Sequence, residues 1–445
     1  MTDTPISTFL KEYREKNAVR MHMPGHKGVG GAAEALDITE IEGADALFEA
    51  SGIISESERI AGSIFDADTF YSTEGSSLSV RAMLYLVSLY AKRNKKRALI
   101  AAARNAHKSF SSAAALIDFD IDWIYSSDAS YLSSRVRRAD IAEYFENASE
   151  LPAALYLTSP DYLGFISDIK GIADECHRRG VLLIVDNAHG AYLKFTSPSM
   201  HPIDLGADMC CDSAHKTLSA LTGCAYMHLA KTLPPFFKER AKDAMMLFAS
   251  TSPSYLMLNS LDLLNPYLAG EYPDALRLFL ENLTYLRSEL ISHGYTLVGD
   301  EPMKLTVKCK EYGYLGKEVA AYLSSHSVFT EFSDNDYLVL MPSPQNSHEE
   351  LMKLKDALLS LPRKDRIDDE PPSVHIPKRA FSVREAVMSD AEILPSSECC
   401  GRVASSVTLG CPPAIPIAVP GEIIDEETLR CFKYYGINKC TVMKE

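Results

Sequence analysis

Four short apolar runs in the first half of the chain each end in a polar turn, and that pattern leaves few architectures open. Ala98-Leu-Ile-Ala-Ala102 leads into Arg104-Asn-Ala-His107-Lys-Ser109, and Ala153-Ala-Leu-Tyr-Leu157 into Thr158-Ser-Pro-Asp-Tyr162. Val181-Leu-Leu-Ile-Val185 leads into Asp186-Asn-Ala-His189-Gly190, and the stretch Ala207 to Cys211 into Ser213-Ala-His-Lys216-Thr217. Short continuous apolar runs bounded by polar turns read as strands buried on both faces, which occur in mostly parallel sheets covered by helices. In an open sheet of that kind ligands bind outside the carboxyl ends of the strands, so these turns are expected to converge on one crevice.

Two of the turns carry complementary chemistry. Lys216, at a strand end between hydroxyls and a histidine, is a candidate for Schiff-base attachment of a carbonyl cofactor, and Asp186 brings a carboxylate to the same sheet edge. A lysine for the aldehyde and a carboxylate for the ring nitrogen are what pyridoxal phosphate requires. Taken singly, Ser-x-His-Lys is most often an ordinary loop and an Asp after a strand is often a helix cap. Four apolar runs that all end in such polar, hydroxyl- or imidazole-bearing turns favour a site. Leu78, Met83, Leu84, Leu86 and Val87 have helical spacing, which puts the Gly75-Ser76-Ser77 turn at a helix N-terminus, where amides and hydroxyls suit a phosphate.

These motifs, with Met21-His-Met-Pro-Gly-His-Lys27, Phe70 to Ser77, Thr158-Ser-Pro160, Ser213 to Leu221, Ser250-Thr-Ser-Pro253 and the Pro412-Pro413 to Glu422 segment, span nearly the whole chain. In that order and rough spacing the chain resembles the ornithine/lysine/arginine decarboxylases of the aspartate-aminotransferase-like fold. The resemblance implies an α/β protein with a large, mostly parallel sheet flanked by helices, a smaller α/β domain and a C-terminal segment. It implies pyridoxal 5'-phosphate held by Lys216, with Asp186 at the pyridine nitrogen and His107 stacked on the ring; the plainer reading of His107 is a helix cap. Ser76, Ser77, Ser213 and His215 would bind the phosphate, Gly75 would allow close backbone approach, and His189 would sit behind these groups or on the substrate side. Relatives of this kind are homodimers, or dimer-based higher oligomers, with the site at the subunit interface, so Thr251 and Ser252 are expected to reach the other subunit's phosphate. The implied reaction converts arginine or lysine, ahead of ornithine, into a polyamine-pathway amine and carbon dioxide. An aminotransferase or other lyase on the same cofactor, or a non-catalytic member, are the alternatives, because one electron sink serves several reactions.

Some positions depart from the family's pattern. Asn187 stands where relatives read Glu, Asp161 where they read Thr, and Ser405-Ser406 and Cys411-Pro-Pro-Ala414 replace the C-terminal Ala-Glu and Tyr-Pro-Pro-Gly elements. A carboxylate lost at 187 or 406 and one gained at 161 are expected to redirect recognition between cationic head groups, since an unpaired buried charge costs several kcal/mol.

At 445 residues, 46% of them hydrophobic, the chain is long enough for two or three domains. The pattern places an N-terminal arm at residues 1–54, a large cofactor-binding domain at 55–262, a small α/β domain at 263–368 and a C-terminal domain at 369–445. A net charge of −15 argues against nucleic acid as a main partner, because phosphate binding needs a basic face, and is compatible with a cationic substrate. No apolar run approaches the roughly 20 residues of a membrane span, and Met1 to Asn17 lacks a signal-peptide core, so no membrane contact and a cytoplasmic location are expected. The ten cysteines lack paired Cys-x-x-Cys spacing, so no metal site and reduced thiols are expected. The Met21 to Lys27 motif lies so near the first residue that the long N-terminal domain of some larger relatives is expected to be lacking.

Overall fold

The all-apolar runs become strands because both of their faces are covered. The computed structural model describes residues 3–126, 130–407 and 415–444. Its main sheet uses β1 (Ala67–Ser72), β2 (Leu99–Ala103), β3 (Asp120–Ile124), β4 (Ala154–Thr158), β5 (Leu182–Asp186), β6 (Met209–Asp212) and β7 (Ala225–Ala230), in the order β1-β7-β6-β5-β4-β2-β3. The four expected runs are β2, β4, β5 and β6, each displaced slightly toward its polar end, which makes Asp186 and Asp212 the last ladder residues of their strands. β5 and β6 are parallel, with Val185 opposite Cys210 and Asp186 opposite Cys211, while β7 runs antiparallel to both β1 and β6.

Two compact units divide the chain. The first comprises Met1–Leu99, Ser149–Tyr156 and Ile169–Asp274. In it the helix Ser76–Arg93 buries all five residues whose spacing announced it, Leu78, Met83, Leu84, Leu86 and Val87. Pro5 opens the helix Pro5–Glu15, where its missing N–H costs nothing, and Ile6 and Leu10 are its buried face.

The second unit comprises Ile100–Ala148, Leu157–Asp168 and Ala275–Glu445. It contains β8 (Leu297–Val298), β9 (Leu305–Lys308), β10 (Phe332–Ser333) and β11 (Tyr337–Leu340), which form an antiparallel sheet in the order β10-β11-β9-β8. A separate antiparallel pair joins β12 (Ala391–Pro395) to β13 (Lys439–Met443). The helices Tyr272–Ser292 and Gly316–Ser325 are amphipathic. Tyr131, Leu163, Ile417, Ile424, Phe432 and Val442 belong to one buried cluster of this unit. Pro412, Pro413 and Ala414 lie outside the described residues; beyond them Ile415, Ile417 and Val419 are buried in non-helical, non-strand chain.

A buried ion pair of the second unit joins two motifs far apart in sequence. Arg104 donates to Glu422 through both terminal nitrogens, at 2.9 and 2.7 Å, and Glu422 also accepts the Val419 amide at 2.8 Å. Both side chains are almost fully buried, and the guanidinium lies over the Trp123 ring, 5.1 Å from its centroid. A buried ion pair adds little against an apolar replacement, but removing one partner strands the other charge. Glu422→Gln is expected to destabilise the second unit by about 3–5 kcal/mol, read as a lower midpoint in urea unfolding.

Candidate active site

The register of β5 against β6 sets the geometry at their ends. Asp186, the last residue of β5, is buried. The Tyr156 hydroxyl of β4 donates to its Oδ2 at 2.9 Å, the Ala188 amide donates to Oδ1 at 3.2 Å, and the Cys211 thiol lies 3.5 Å from Oδ1. The carboxylate is thereby aimed as well as buried. Lys216 lies in the single helical turn Ala214–Thr217 that follows β6, and its Nζ is 3.0 Å from Nε2 of His189. At that distance one proton is shared, either on the amine with the imidazole accepting or on the imidazole with the amine accepting. His189, assigned only a loose role from sequence, thus touches the lysine directly.

A second cluster forms at the start of the helix Ser76–Arg93. Gly75 has φ +70°, which a side chain rarely adopts, and a Cβ there would meet nothing within 4 Å, so an open cradle faces the helix N-terminus. The Ser213 hydroxyl donates to Ser76 Oγ at 2.9 Å, joining the end of β6 to the helix start. Ser77 follows in the same first turn. His215 Nδ1 lies 2.9 Å from the Cys224 carbonyl, and burial lowers the pKa of this ring, which keeps it neutral. Thr251 and Ser252 are exposed in the connection between the helices Pro235–Met246 and Tyr255–Ala269. The neighbouring Ser250 amide donates to Glu74 Oε1 at 2.6 Å, which ties that connection to the Gly75 turn.

In the second unit His107 is the N-cap of the helix Lys108–Ile117. Its Nδ1 accepts the Ser109 amide at 3.3 Å and lies 2.9 Å from Ser109 Oγ. The capping role is therefore present, and it fixes the ring with Nε2 as the protonated nitrogen of the neutral form.

Two of the departures are placed otherwise than the sequence suggested. Asn187 is fully buried and donates to Asp212 Oδ1 at 2.7 Å, so it forms no part of an open substrate wall. Asp161 is also buried: its carboxylate accepts the Phe165 amide at 2.9 Å and the Ser133 hydroxyl, and burial pushes its pKa up. Both groups serve the local chain rather than a cationic head group. Ser406 is half-buried, and Cys411 lies outside the described residues. The nine described cysteines are all free, with Cys400 exposed and the rest buried. Sequence reasoning missed Tyr156, His201, Asp212 and His228. Tyr156 is hidden as one aromatic in an apolar strand, and only Asp212, a charge closing an apolar run, left a signal.

The residues present fit pyridoxal phosphate: an amine with a proton partner, a buried and aimed carboxylate beside it, and an open glycine cradle with two hydroxyls at a helix start. The architecture is that of the pyridoxal-phosphate enzymes of fold type I. The model of the Orn/Lys/Arg decarboxylase major domain matches residues 4–290 and that of the family's C-terminal domain residues 364–441, and the chain belongs to this family. It is an enzyme, a pyridoxal-phosphate-dependent decarboxylase of a basic amino acid. An arginine decarboxylase of Bacillus subtilis is 29% identical, over 96% of this chain and 92% of the relative. An arginine decarboxylase of Halalkalibacterium halodurans is 28% identical over the same shares. Among solved structures, a lysine decarboxylase of Francisella novicida covers all of this chain and 81% of its own, with a TM-score of 0.80 at 16% identity. The constitutive lysine decarboxylase of E. coli covers all of this chain and 82% of its own, with a TM-score of 0.77 at 17% identity. Among the described residues no helix is long and apolar enough to cross a membrane.

Tyr156→Phe removes one donor from the Asp186 carboxylate. Hydrogen bonds to charged groups contribute about 1.5–3 kcal/mol. The variant is expected to bind pyridoxal phosphate roughly tenfold more weakly, equivalent to about 1.4 kcal/mol, in a spectrophotometric titration, with the melting temperature of the cofactor-free protein little changed.

Proposed function

We propose that the enzyme decarboxylates arginine, with lysine next and ornithine last, releasing carbon dioxide and an amine for polyamine synthesis. The arginine decarboxylases that align with nearly the whole chain support arginine. The observation that carries the site assignment is the Lys216–His189 pair at 3.0 Å, on strand ends neighbouring each other with the buried Asp186. Lys216 Nζ is the amine that holds the cofactor's aldehyde carbon. His189 would take up and return the proton at that nitrogen, so the amine would be available both as a nucleophile and as a proton donor to the substrate's α-carbon. Asp186, aimed by Tyr156 and the Ala188 amide, holds a proton at the pyridine nitrogen. When bound, the ring supplies the electron sink for the electron pair left on the α-carbon as carbon dioxide departs.

Gly75, Ser76, Ser77, Ser213 and His215 hold the phosphate. The neutral His215 ring offers its Nδ1 proton to the Cys224 carbonyl, so it would donate to a phosphate as the imidazolium, which the phosphate's negative charge favours against the burial that lowers its pKa. His107 is assigned to the ring face by resemblance. The exposure of Thr251 and Ser252 is compatible with contact to a partner subunit's phosphate, and a homodimer acting in the cytoplasm completes the reading.

The visible absorption of the protein with pyridoxal phosphate tests it, recorded before and after arginine, lysine and ornithine in turn, followed by carbon dioxide release. Arginine is expected to perturb the band most and to give the highest kcat/KM. A larger kcat/KM for lysine would reverse the substrate order, and keto acid in place of amine would overturn decarboxylation. Lys216→Ala is expected to lose the band of lysine-bound cofactor and all measurable turnover; a band that survives would remove Lys216 from its role.

A further inference from the structure

Behind the strand ends, on the other face of the sheet, lies a buried polar cluster that the proposed chemistry does not use. Side chains alternate along a strand. Cys211 therefore shares the face of Asp186, whereas Cys210 and Asp212 point the opposite way, as does Asn187, whose amide meets Asp212. Asp212 has no solvent exposure and is surrounded by donors. Asn187 Nδ2 lies 2.7 Å from Oδ1, and His201 Nε2 and His228 Nε2 lie 3.0 and 3.2 Å from Oδ2. His228 is itself fixed from behind, its Nδ1 2.9 Å from Thr69 Oγ1, and its ring packs on Phe65 at 4.5 Å between centroids.

We propose that Asp212 is a positioning residue for the cofactor carboxylate: by gripping Asn187 from the far face of the sheet it sets the orientation of Asp186. This rests on the reading of Asp186 as the group at the pyridine nitrogen. The grip has two points, because the Asn187 amide nitrogen of the main chain also donates to the Cys211 carbonyl at 3.0 Å. With main chain and side chain of residue 187 both held, the peptide that joins it to Asp186 cannot rotate freely, and the Asp186 carboxylate keeps its aim. The side-chain oxygen of Asn187 is buried without a partner, so the amide's orientation is set by Asp212 alone. An amide can donate to a carboxylate and a carboxylate cannot, which explains why residue 187 is useful here as Asn. The histidines keep Asp212 charged and aimed: burial opposes its charge, the two rings outweigh burial, and its pKa is lowered as a result. Burial lowers the pKa of His228, which favours the neutral ring. His201 Nε2, Cys210 Sγ and an Asp212 oxygen also lie within 4.8 Å of one another, a spacing a metal ion could use, but the three donors already satisfy the carboxylate without one.

The test uses the full-length protein with Asp212→Asn and, separately, Asn187→Ala, which leaves Asp212 with both histidines and so decides the matter if Asp212→Asn does not fold. Three quantities are measured: affinity for pyridoxal phosphate by spectrophotometric titration, circular dichroism of the bound cofactor's visible band, and the melting temperature of the cofactor-free protein. Each variant is expected to bind the cofactor at least tenfold more weakly and to alter the sign or intensity of the dichroic band per bound cofactor, which reports ring orientation. Unchanged affinity and dichroism with only a lower melting temperature would make Asp212 a stability residue and overturn the proposal. One equivalent of zinc in the purified protein, lost in Asp212→Asn, would overturn it too, by making the cluster a metal site. A wild-type protein that takes up no pyridoxal phosphate would overturn the site reading together with this inference, whereas wild type and variants that bind equally well would overturn the inference alone.

Discussion

The chemistry of the first unit depends on the register between β5 and β6. Because Asp186 stands opposite Cys211, the carboxylate at the end of β5 and the turn carrying Lys216 at the end of β6 leave the sheet side by side. Side-chain direction alternates with a period of two, so a slip of one residue would send Asp186 to the far face and bring Asn187 in its place. The apolar composition of β5, Leu-Leu-Ile-Val before the Asp, gives the strand no amphipathic preference for one face. The polar groups at its end fix the register instead: Tyr156, the Ala188 amide and Cys211 receive Asp186 on one side, and Asp212 receives Asn187 on the other.

The second unit is held by a different device. Arg104 follows the end of β2 and Glu422 follows the non-regular chain of residues 415–421, so a fully buried ion pair connects two motifs that share no element of secondary structure. The same Glu422 accepts the Val419 amide, which turns that chain end back on itself. A pair of this kind specifies where a segment without helix or strand must lie more than it stabilises the fold, because the desolvation of both charges offsets most of their attraction.

Much of this was legible in the sequence, for reasons tied to particular residues. The strands announced themselves as apolar runs with abrupt polar ends, and the helix at Ser76 by the spacing of Leu78, Met83, Leu84, Leu86 and Val87. Lys216 and Asp186 were legible because each closes such a run. What one sequence cannot display is which side of a strand end a residue faces. Asn187 and Asp161 were read as possible substrate contacts because they depart from the family's pattern, yet each is turned inward and engaged by its own neighbourhood, Asn187 by Asp212 and Asp161 by Ser133 and Phe165. Tyr156 and His228 were invisible for the converse reason: an aromatic or a histidine inside an apolar strand looks like core until its partner is known. His107 could be read as a ring-stacking group or a cap, and its Nδ1 does cap a helix.

Position 187 illustrates how a departure from a family's pattern can be understood without invoking the substrate. A glutamate there would bring a second carboxylate toward Asp212 in a space with no solvent, where two like charges cannot both remain ionised and one must take up a proton or move away. Asn removes that conflict and supplies a donor in its place. The identities of residues 187 and 212 are thus coupled by charge: an ionised Asp212, held by two histidines, favours a neutral donor at 187, and a carboxylate at 187 would favour a neutral partner at 212. Asn187 and Asp212 thus form a local pairing of donor and acceptor behind the sheet, on the face opposite to the one that carries Asp186.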